Sequence, residues 1–159
     1  GQHVPVDMVA VRLTPPFRFI VVGSPAYLAR TARPGQPDDL GRHACLRLRR
    51  SSGALAPWSL DDDGRAIEVA VSGPFIANDF PTMLGAAVEG VGLAQVPEPI
   101  AAELLRRGKL VQVLERFAPM TPGMFLYHPG RRQMTPKLRA FIDHLKYRPE
   151  AAASRESGR

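Results

Sequence analysis

Cysteine is nearly absent: Cys45 stands alone, so no disulfide can form within the chain. His3, His43, His128 and His144 are too dispersed for the ligand spacing of a zinc site. No apolar run approaches the roughly 20 residues of a membrane-spanning helix. The opening GQHVPVDMV has neither the basic start nor the apolar stretch of a signal peptide. Together these absences lead to the expectation of a protein in the reducing cytoplasm. Catalytic signatures are missing too. There is no G-x-S-x-G, no phosphate-cradling G-x-x-x-x-G-K, and no nucleophile with a base at a recognisable spacing. Cys45 sits in an apolar stretch and reads as core. The sequence therefore predicts no enzyme, no cofactor and no metal.

With 45% hydrophobic and 23% charged residues over 159 positions, the chain can bury a real core, and disorder does not explain its bulk. Lys and Arg exceed Asp and Glu by 21 to 15. The cations fall in scattered clusters, such as Arg47, Arg49 and Arg50, Arg106 and Arg107, and Arg131 and Arg132. No helix face is lined with them, which argues against direct nucleic-acid binding by this chain. Asp61, Asp62 and Asp63 precede Gly64 and read as solvated turn residues.

Periodicity and punctuation predict the elements. DMVAVRL, from Asp7 to Leu13, alternates like a strand and is closed by Pro15 and Pro16. FRFIVVG, from Phe17 to Gly23, is a nearly continuous apolar run, as in a strand buried on both faces of a parallel or mixed sheet. Ser24 caps a short helix with Pro25 at its first position. A helical turn in PDDLGRH, a strand in ACLRLR and a hairpin from Trp58 to Ser72 follow. A helix is expected from about Phe80 to Glu89, with Asn78 or Asp79 as its N-cap, and a buried strand in GVGLAQVP. EPIAAELLRRGKL predicts a second helix, and LVQVL and GMFLYHP two further strands. Thr135 caps a last helix whose apolar stripe is Leu138, Phe141, Ile142 and Leu145. The polar end EAAASRESGR predicts a frayed tail. Strands alternating with helices argue an α/β architecture. Pro-bounded junctions near Pro15 to Phe17 and Phe117 to Pro122 predict two lobes with two crossovers, an arrangement that places ligands in a cleft.

Over nearly all of Asp7 to Lys146 the chain resembles the effector-binding domain of LysR-type bacterial transcription regulators. The resemblance is carried by DMVAVRL, SPAYLA (Ser24 to Ala29), PDDLGRHACL (Pro37 to Leu46), SSG…PWSL, GPFIAND (Gly73 to Asp79) and EGVGLA (Glu89 to Ala94). It continues through RRGKLVQVL and LYHPGRRQMTPKLRAFIDHL. It implies a two-lobed, type 2 periplasmic-binding-protein-like fold. The first-lobe remnant would be residues 1–16 and the second lobe 17–118, with a return crossover and helix over 119–148 and a tail over 149–159. A full family member begins with a DNA-reading winged helix-turn-helix, which does not precede Gly1 here, so the first lobe is expected to be incomplete. Exposed strand edges then favour self-association, and family members dimerise through this domain.

The implied function is small-molecule effector sensing and dimerisation, without DNA recognition by this chain, and the effector expected is a small molecule of the carboxylate kind. Ser51, Ser52 and Gly53 offer hydroxyls and a flexible backbone suited to an anion, or form an ordinary polar loop. The resemblance places that loop at the cleft. Asn78 and Asp79 either touch ligand or cap the helix they precede. Gly23 and Ser24 end the first crossover strand, where the family presents polar groups to effector; capping is the plainer reading of Ser24. Phe80 and Thr82, in the next first turn, are candidates for shaping the pocket. His128 is a candidate contact on the return strand, or a structural histidine. The alternatives are a fragment of a solute-binding protein, or an oligomerisation module whose cleft does not function.

Overall fold

The structure is a computed structural model and describes residues 8–130 and 134–147. The tail, His3 and the Arg131–Arg132 pair lie outside the described residues. The chain divides into two compact units, one comprising Gly1–Pro16 with Pro122–Arg159, the other Phe17–Thr121.

In chain order the elements are β1 (Met8–Arg12), β2 (Phe17–Gly23), α1 (Pro25–Thr31), a 3-10 helix (Pro37–Arg42), β3 (Arg47–Leu48), β4 (Trp58–Asp62) and β5 (Arg65–Val69). They continue as β6 (Ile76–Ala77), α2 (Phe80–Val88), β7 (Ala94–Pro97), α3 (Glu98–Arg106) and β8 (Val111–Val113). A short 3-10 turn (Glu115–Phe117) precedes β9 (Met120–Thr121), β10 (Phe125–Pro129) and α4 (Pro136–Leu145). The helix starts follow local chemistry. Ser24 accepts the Tyr27 N–H with its hydroxyl, Thr135 accepts the Leu138 N–H, and Pro25 and Pro136 supply the fixed φ of a first turn. The choice between Asn78 and Asp79 resolves to Asp79, whose carboxylate accepts the Thr82 N–H at 2.7 Å and the Thr82 hydroxyl at 3.0 Å. The Thr82 N–H first, and then its hydroxyl, hold the Asp79 carboxyl below its ordinary pKa.

In the unit containing both chain ends, β1 pairs antiparallel with β10, from Met8 opposite Pro129 to Arg12 opposite Phe125. Ile142 of α4 is buried, whereas Phe141 and Leu145 are exposed, so only part of the expected apolar stripe is covered. The other unit is organised on β2. It lies between β7 and β8, antiparallel to both, and its first residues pair antiparallel with β9. Parallel contacts come one strand further out, in the Cys45–Leu93 bridge and the β3–β6 pair, which makes the strand set mixed. Burial on both faces holds for Ile20–Gly23 only; Phe17 and Phe19 stay half-buried. An apolar run reports burial, and says nothing of which way its neighbours run.

Alternation along β2 serves two cores. Ile20 and Val22 pack with Leu46, Met83, Leu84, Val96 and Leu110. Val21 packs with Tyr27, Leu40, Trp58, Leu60, Leu93 and Phe117. In the second core the Tyr27 hydroxyl takes the Ala44 N–H and meets His43 Nδ1 at 3.0 Å, so its polar end is satisfied where it is buried. Burial is the first cause that keeps the His43 pKa below its ordinary value. β4 and β5 form the expected hairpin, from Trp58 opposite Val69 to Asp62 opposite Arg65. Its turn places Asp63 at φ 52° and Gly64 at φ 86°, with Asp61 accepting the Gly64 N–H.

Gly92 tolerates no side chain: a Cβ there meets the Ala44 carbonyl oxygen at 2.3 Å. Gly85, inside α2, has nothing within 4 Å of that position. Gly92→Ala is expected to destabilise the fold by about 1–3 kcal/mol and Gly85→Ala to stabilise it by roughly 0.5–1 kcal/mol, both read from urea unfolding. Asp79→Ala is expected to lower the urea midpoint at neutral pH. Because the folded carboxyl titrates below its unfolded value, this stabilisation is complete above the ordinary carboxylate range and is lost as pH falls through the folded pKa. The gap between wild type and variant should therefore close in acid, as measured by midpoints taken across pH 3 to 7.

Candidate functional site

Residues of several strands and of α2 meet at one hollow of the Phe17–Thr121 unit. On β2 the half-buried Phe19 precedes the buried Ile20, and its ring meets the Phe80 ring of α2, centroids 6.3 Å apart and tilted by 54°. These two rings, with Met83, Leu48 and Pro119, form one apolar side of a cavity of about 400 Å³. The segment Ala56–Trp58 forms another side. The size is within the range of small-molecule sites.

Polar groups are few and distinct in role. The Gln95 amide on β7 donates to the Ser59 carbonyl at 2.6 Å and accepts the Ser59 N–H at 3.3 Å, so it pairs with the β4 backbone as a neighbouring strand would. This clasp fixes the hairpin wall against β7. It leaves the Ser59 hydroxyl and the second Gln95 N–H without a partner among the described residues. Arg50 stands at the end of the ladder from β3, and its exposed guanidinium makes no hydrogen bond or ion pair with a described residue. Among the described residues the cavity lining contains no Asp or Glu. Such a site can take an apolar body on its walls and an anionic group at its rim.

Among the residues singled out from the sequence, Phe80 lines this cavity. Ser51, Ser52 and Gly53 form an exposed turn closed by Gly53 N–H to Arg50 C=O at 2.8 Å and Arg49 to Gly53 C=O at 3.0 Å, with Gly53 at φ 85°. Asn78 is exposed and its side chain makes no hydrogen bond with a described residue. Asp79 and Thr82 are bonded to each other, and the buried Ser24 caps α1. Gly23 is held by steric need, since a Cβ there lies 2.7 Å from Leu93 Cδ2. His128 is buried on β10, in the other unit, and is engaged there. Phe19, Arg50, Trp58 and Gln95 were not candidates from sequence. The one legible signal was Gln95, an amide inside the otherwise apolar GLAQVP.

Burial pushes the Cys45 thiol up to about 12, so thiolate is negligible at neutral pH. No group of three or more His, Cys, Asp or Glu is arranged to hold a metal ion among the described residues. No described helix is long and apolar enough to cross a membrane.

Comparison with known proteins agrees with this architecture. The chain is 34% identical over 149 residues to the HTH-type transcriptional regulator PgrR of Escherichia coli K12, covering 93% of this chain and 50% of that protein. It is 35% identical over 140 residues to the uncharacterized HTH-type transcriptional regulator YcaN of the same organism, covering 88% and 45%. The chain thus spans about half the length of these relatives. Among solved structures, the regulatory domain of AphB from Vibrio vulnificus superposes with a TM-score of 0.75 at 24% identity, over 91% of this chain and 70% of that one. CrgA from Neisseria meningitidis gives 0.73 at 24% identity, over 91% and 49%. At that identity they establish the fold alone, a mixed α/β fold of the type 2 periplasmic-binding-protein-like kind. The LysR substrate binding domain family model matches residues 1–149, and the chain belongs to that family.

Proposed function

We propose that this chain is the effector-sensing domain of a cytoplasmic bacterial transcription regulator, that it performs no catalysis, and that its effector occupies the cavity beside Phe19 and Phe80. The observation that carries this reading is the combination of apolar walls with an unpartnered guanidinium, Arg50, and no lining carboxylate. That chemistry selects a small anion with a flat or compact apolar body, the carboxylate of an aromatic or alicyclic acid being the simplest case. The free Ser59 hydroxyl and second Gln95 N–H add orientation. Ser51, Ser52 and Asn78 are further contact candidates, because their exposed side chains make no hydrogen bond with described residues. Ser24 and Asp79 serve as caps and the Thr82 hydroxyl donates to Asp79, so all three offer a ligand less.

Effector sensing in this reading works by differential affinity: a ligand that favours one arrangement of the domain shifts its population by RT ln(1 + [L]/Kd). In a longer regulator, that shift would be passed to DNA-reading segments outside this chain. Self-association belongs to the same proposal. The β1–β10 pair has two strands in the described residues, and Val9 and Tyr127 on it are exposed, a surface suited to pairing with a second copy.

The test is a thermal-shift and calorimetric series with benzoate, cyclohexanecarboxylate and 1-naphthoate, each beside its neutral amide. A binding acid at a hundredfold excess over its Kd is expected to stabilise the domain by about 2.7 kcal/mol. The amide, and the Arg50→Gln variant with the acid, should each bind about tenfold more weakly, the loss of one charge-assisted contact. Phe80→Ala should weaken acid and amide alike. Acid binding indifferent to both substitutions would refute the location, and absence of binding by every acid would refute the ligand class.

A further inference from the structure

Tyr27 of α1 lies in the second core of the Phe17–Thr121 unit and meets His43, the residue that follows the 3-10 helix; both are buried. Two partners share the phenol oxygen there. The Ala44 N–H donates to the Tyr27 hydroxyl at 3.0 Å, and the same hydroxyl lies 3.0 Å from His43 Nδ1. A backbone N–H can only donate, so one lone pair of the oxygen is taken by Ala44. The phenol proton then has His43 Nδ1 as its acceptor, which requires that nitrogen to carry no proton of its own.

Backbone bonds on either side make this a junction. The His43 N–H closes the 3-10 helix on the Leu40 carbonyl at 3.1 Å, and the Ala44 carbonyl accepts the Leu93 N–H at 2.8 Å just ahead of β7. Tyr27 thus ties α1 to the residues that lead from the 3-10 helix into β3. The charges near the ring come from three elements. Asp39 and Arg42, on the 3-10 helix, act on His43 with opposite signs. The Asp39 carboxylate is already engaged by the Gly35 N–H at 2.9 Å, the Gln36 N–H at 3.0 Å and Arg42 at 2.5 Å. Arg30, on α1, lies 5.2 Å from the Tyr27 ring centroid. β5, packed on the 3-10 helix, carries Arg65 and Glu68, both exposed. Among the described residues no carboxylate forms an ion pair with the His43 ring.

We infer that His43 is an acid-opened latch: a proton on Nδ1 breaks its bond with Tyr27 and loosens the junction between α1, the 3-10 helix and β3. The imidazolium presents an N–H where the phenol proton pointed. That proton must turn away from the one acceptor it has among the described residues, in a buried site where an unmatched donor is costly. Charging the ring also costs desolvation, the first cause that holds the His43 pKa below its ordinary value of 6.5. A histidine so depressed binds fewer protons folded than unfolded. Its stabilisation is complete above the unfolded value and is lost as pH falls through the folded one. Asp39, held below the ordinary carboxylate range first by the Gly35 N–H, keeps its charge through the upper part of that fall. The latch shares no residue with the lining of the Phe19–Phe80 cavity, so it stands apart from the ligand reading.

The experiment is a heteronuclear NMR titration of the chain from about pH 8 to about pH 5, the range in which histidine changes charge. His43 is expected to carry its neutral-state proton on Nε2 and to take up a second proton, on Nδ1, below the ordinary histidine value. The Ala44 amide signal should move with the same midpoint. Tyr27→Phe removes the bond that favours the neutral ring, so the His43 pKa should rise in that variant. His43→Asn keeps an acceptor facing Tyr27 and does not titrate. Protection of the Ala44 amide from hydrogen exchange should fall in acid by up to about tenfold per pH unit between the unfolded and folded pKa values in wild type. In His43→Asn that fall should be absent, and the wild-type urea midpoint should drop relative to the variant's as the solution is acidified. The comparison cancels His128 and His144, which both proteins carry. A His43 pKa at or above its ordinary value, a neutral ring protonated on Nδ1, or a pKa unchanged by Tyr27→Phe overturns the inference. So does Ala44 protection that follows the same course with pH in wild type and His43→Asn. The titrations of wild type and Tyr27→Phe decide the matter by themselves if His43→Asn does not fold.

Discussion

Everything in the Phe17–Thr121 unit depends on one constraint, the two-residue period of β2. Flanked by β7 and β8, this strand has ladder partners on both edges and a hydrophobic core on each face. Shifting it by one residue would exchange Ile20 and Val22 with Val21 and disrupt both cores together. At its start Phe19 meets Phe80, and at its end Gly23 is pressed against Leu93 and is followed by Ser24, which caps α1. The strand thus leads from the cavity wall at one end to the helix cap at the other.

The hairpin is held less heavily. Trp58 and Leu60 bury into the second core, but its tie to β7 near the cavity is the Gln95–Ser59 clasp, a side-chain amide doing the work of a neighbouring strand. The Ala56–Trp58 segment leading into it forms one side of the cavity.

Local features were legible in the sequence and relational ones were not. Ser24 with Pro25, Thr135 with Pro136, and the DDDG turn each announce their geometry through chemistry confined to a few residues, and each forms as read. Asn78 and Asp79 compete on equal chemical terms, and the contact of Asp79 with Thr82 decides between them. The direction of β2's neighbours was out of reach, because an apolar run encodes burial without orientation. The half-burial of Phe17 and Phe19 escaped for the same reason. The cavity depends on residues from β2, β3, α2 and β7 that meet only after folding, so Phe19, Arg50 and Gln95 carried no local mark beyond the polarity of Gln95 in an apolar strand. Ser51 and Ser52 drew attention as a hydroxyl-rich loop, while the side chain beside them, Arg50, is the one that lines the cavity.

Residue-resolved hydrogen exchange under native conditions tests the central claim most directly. If β2 is the frame, the amides of Ile20, Val21 and Val22 exchange only through global unfolding, with a free energy equal to that from urea denaturation. The amides of the 50–54 turn, and Ser59 behind its clasp, should open at lower cost. Val21 and Val22 exchanging as readily as that turn would contradict the account, since the strand would then be a passenger of the fold and the cavity would have no rigid wall.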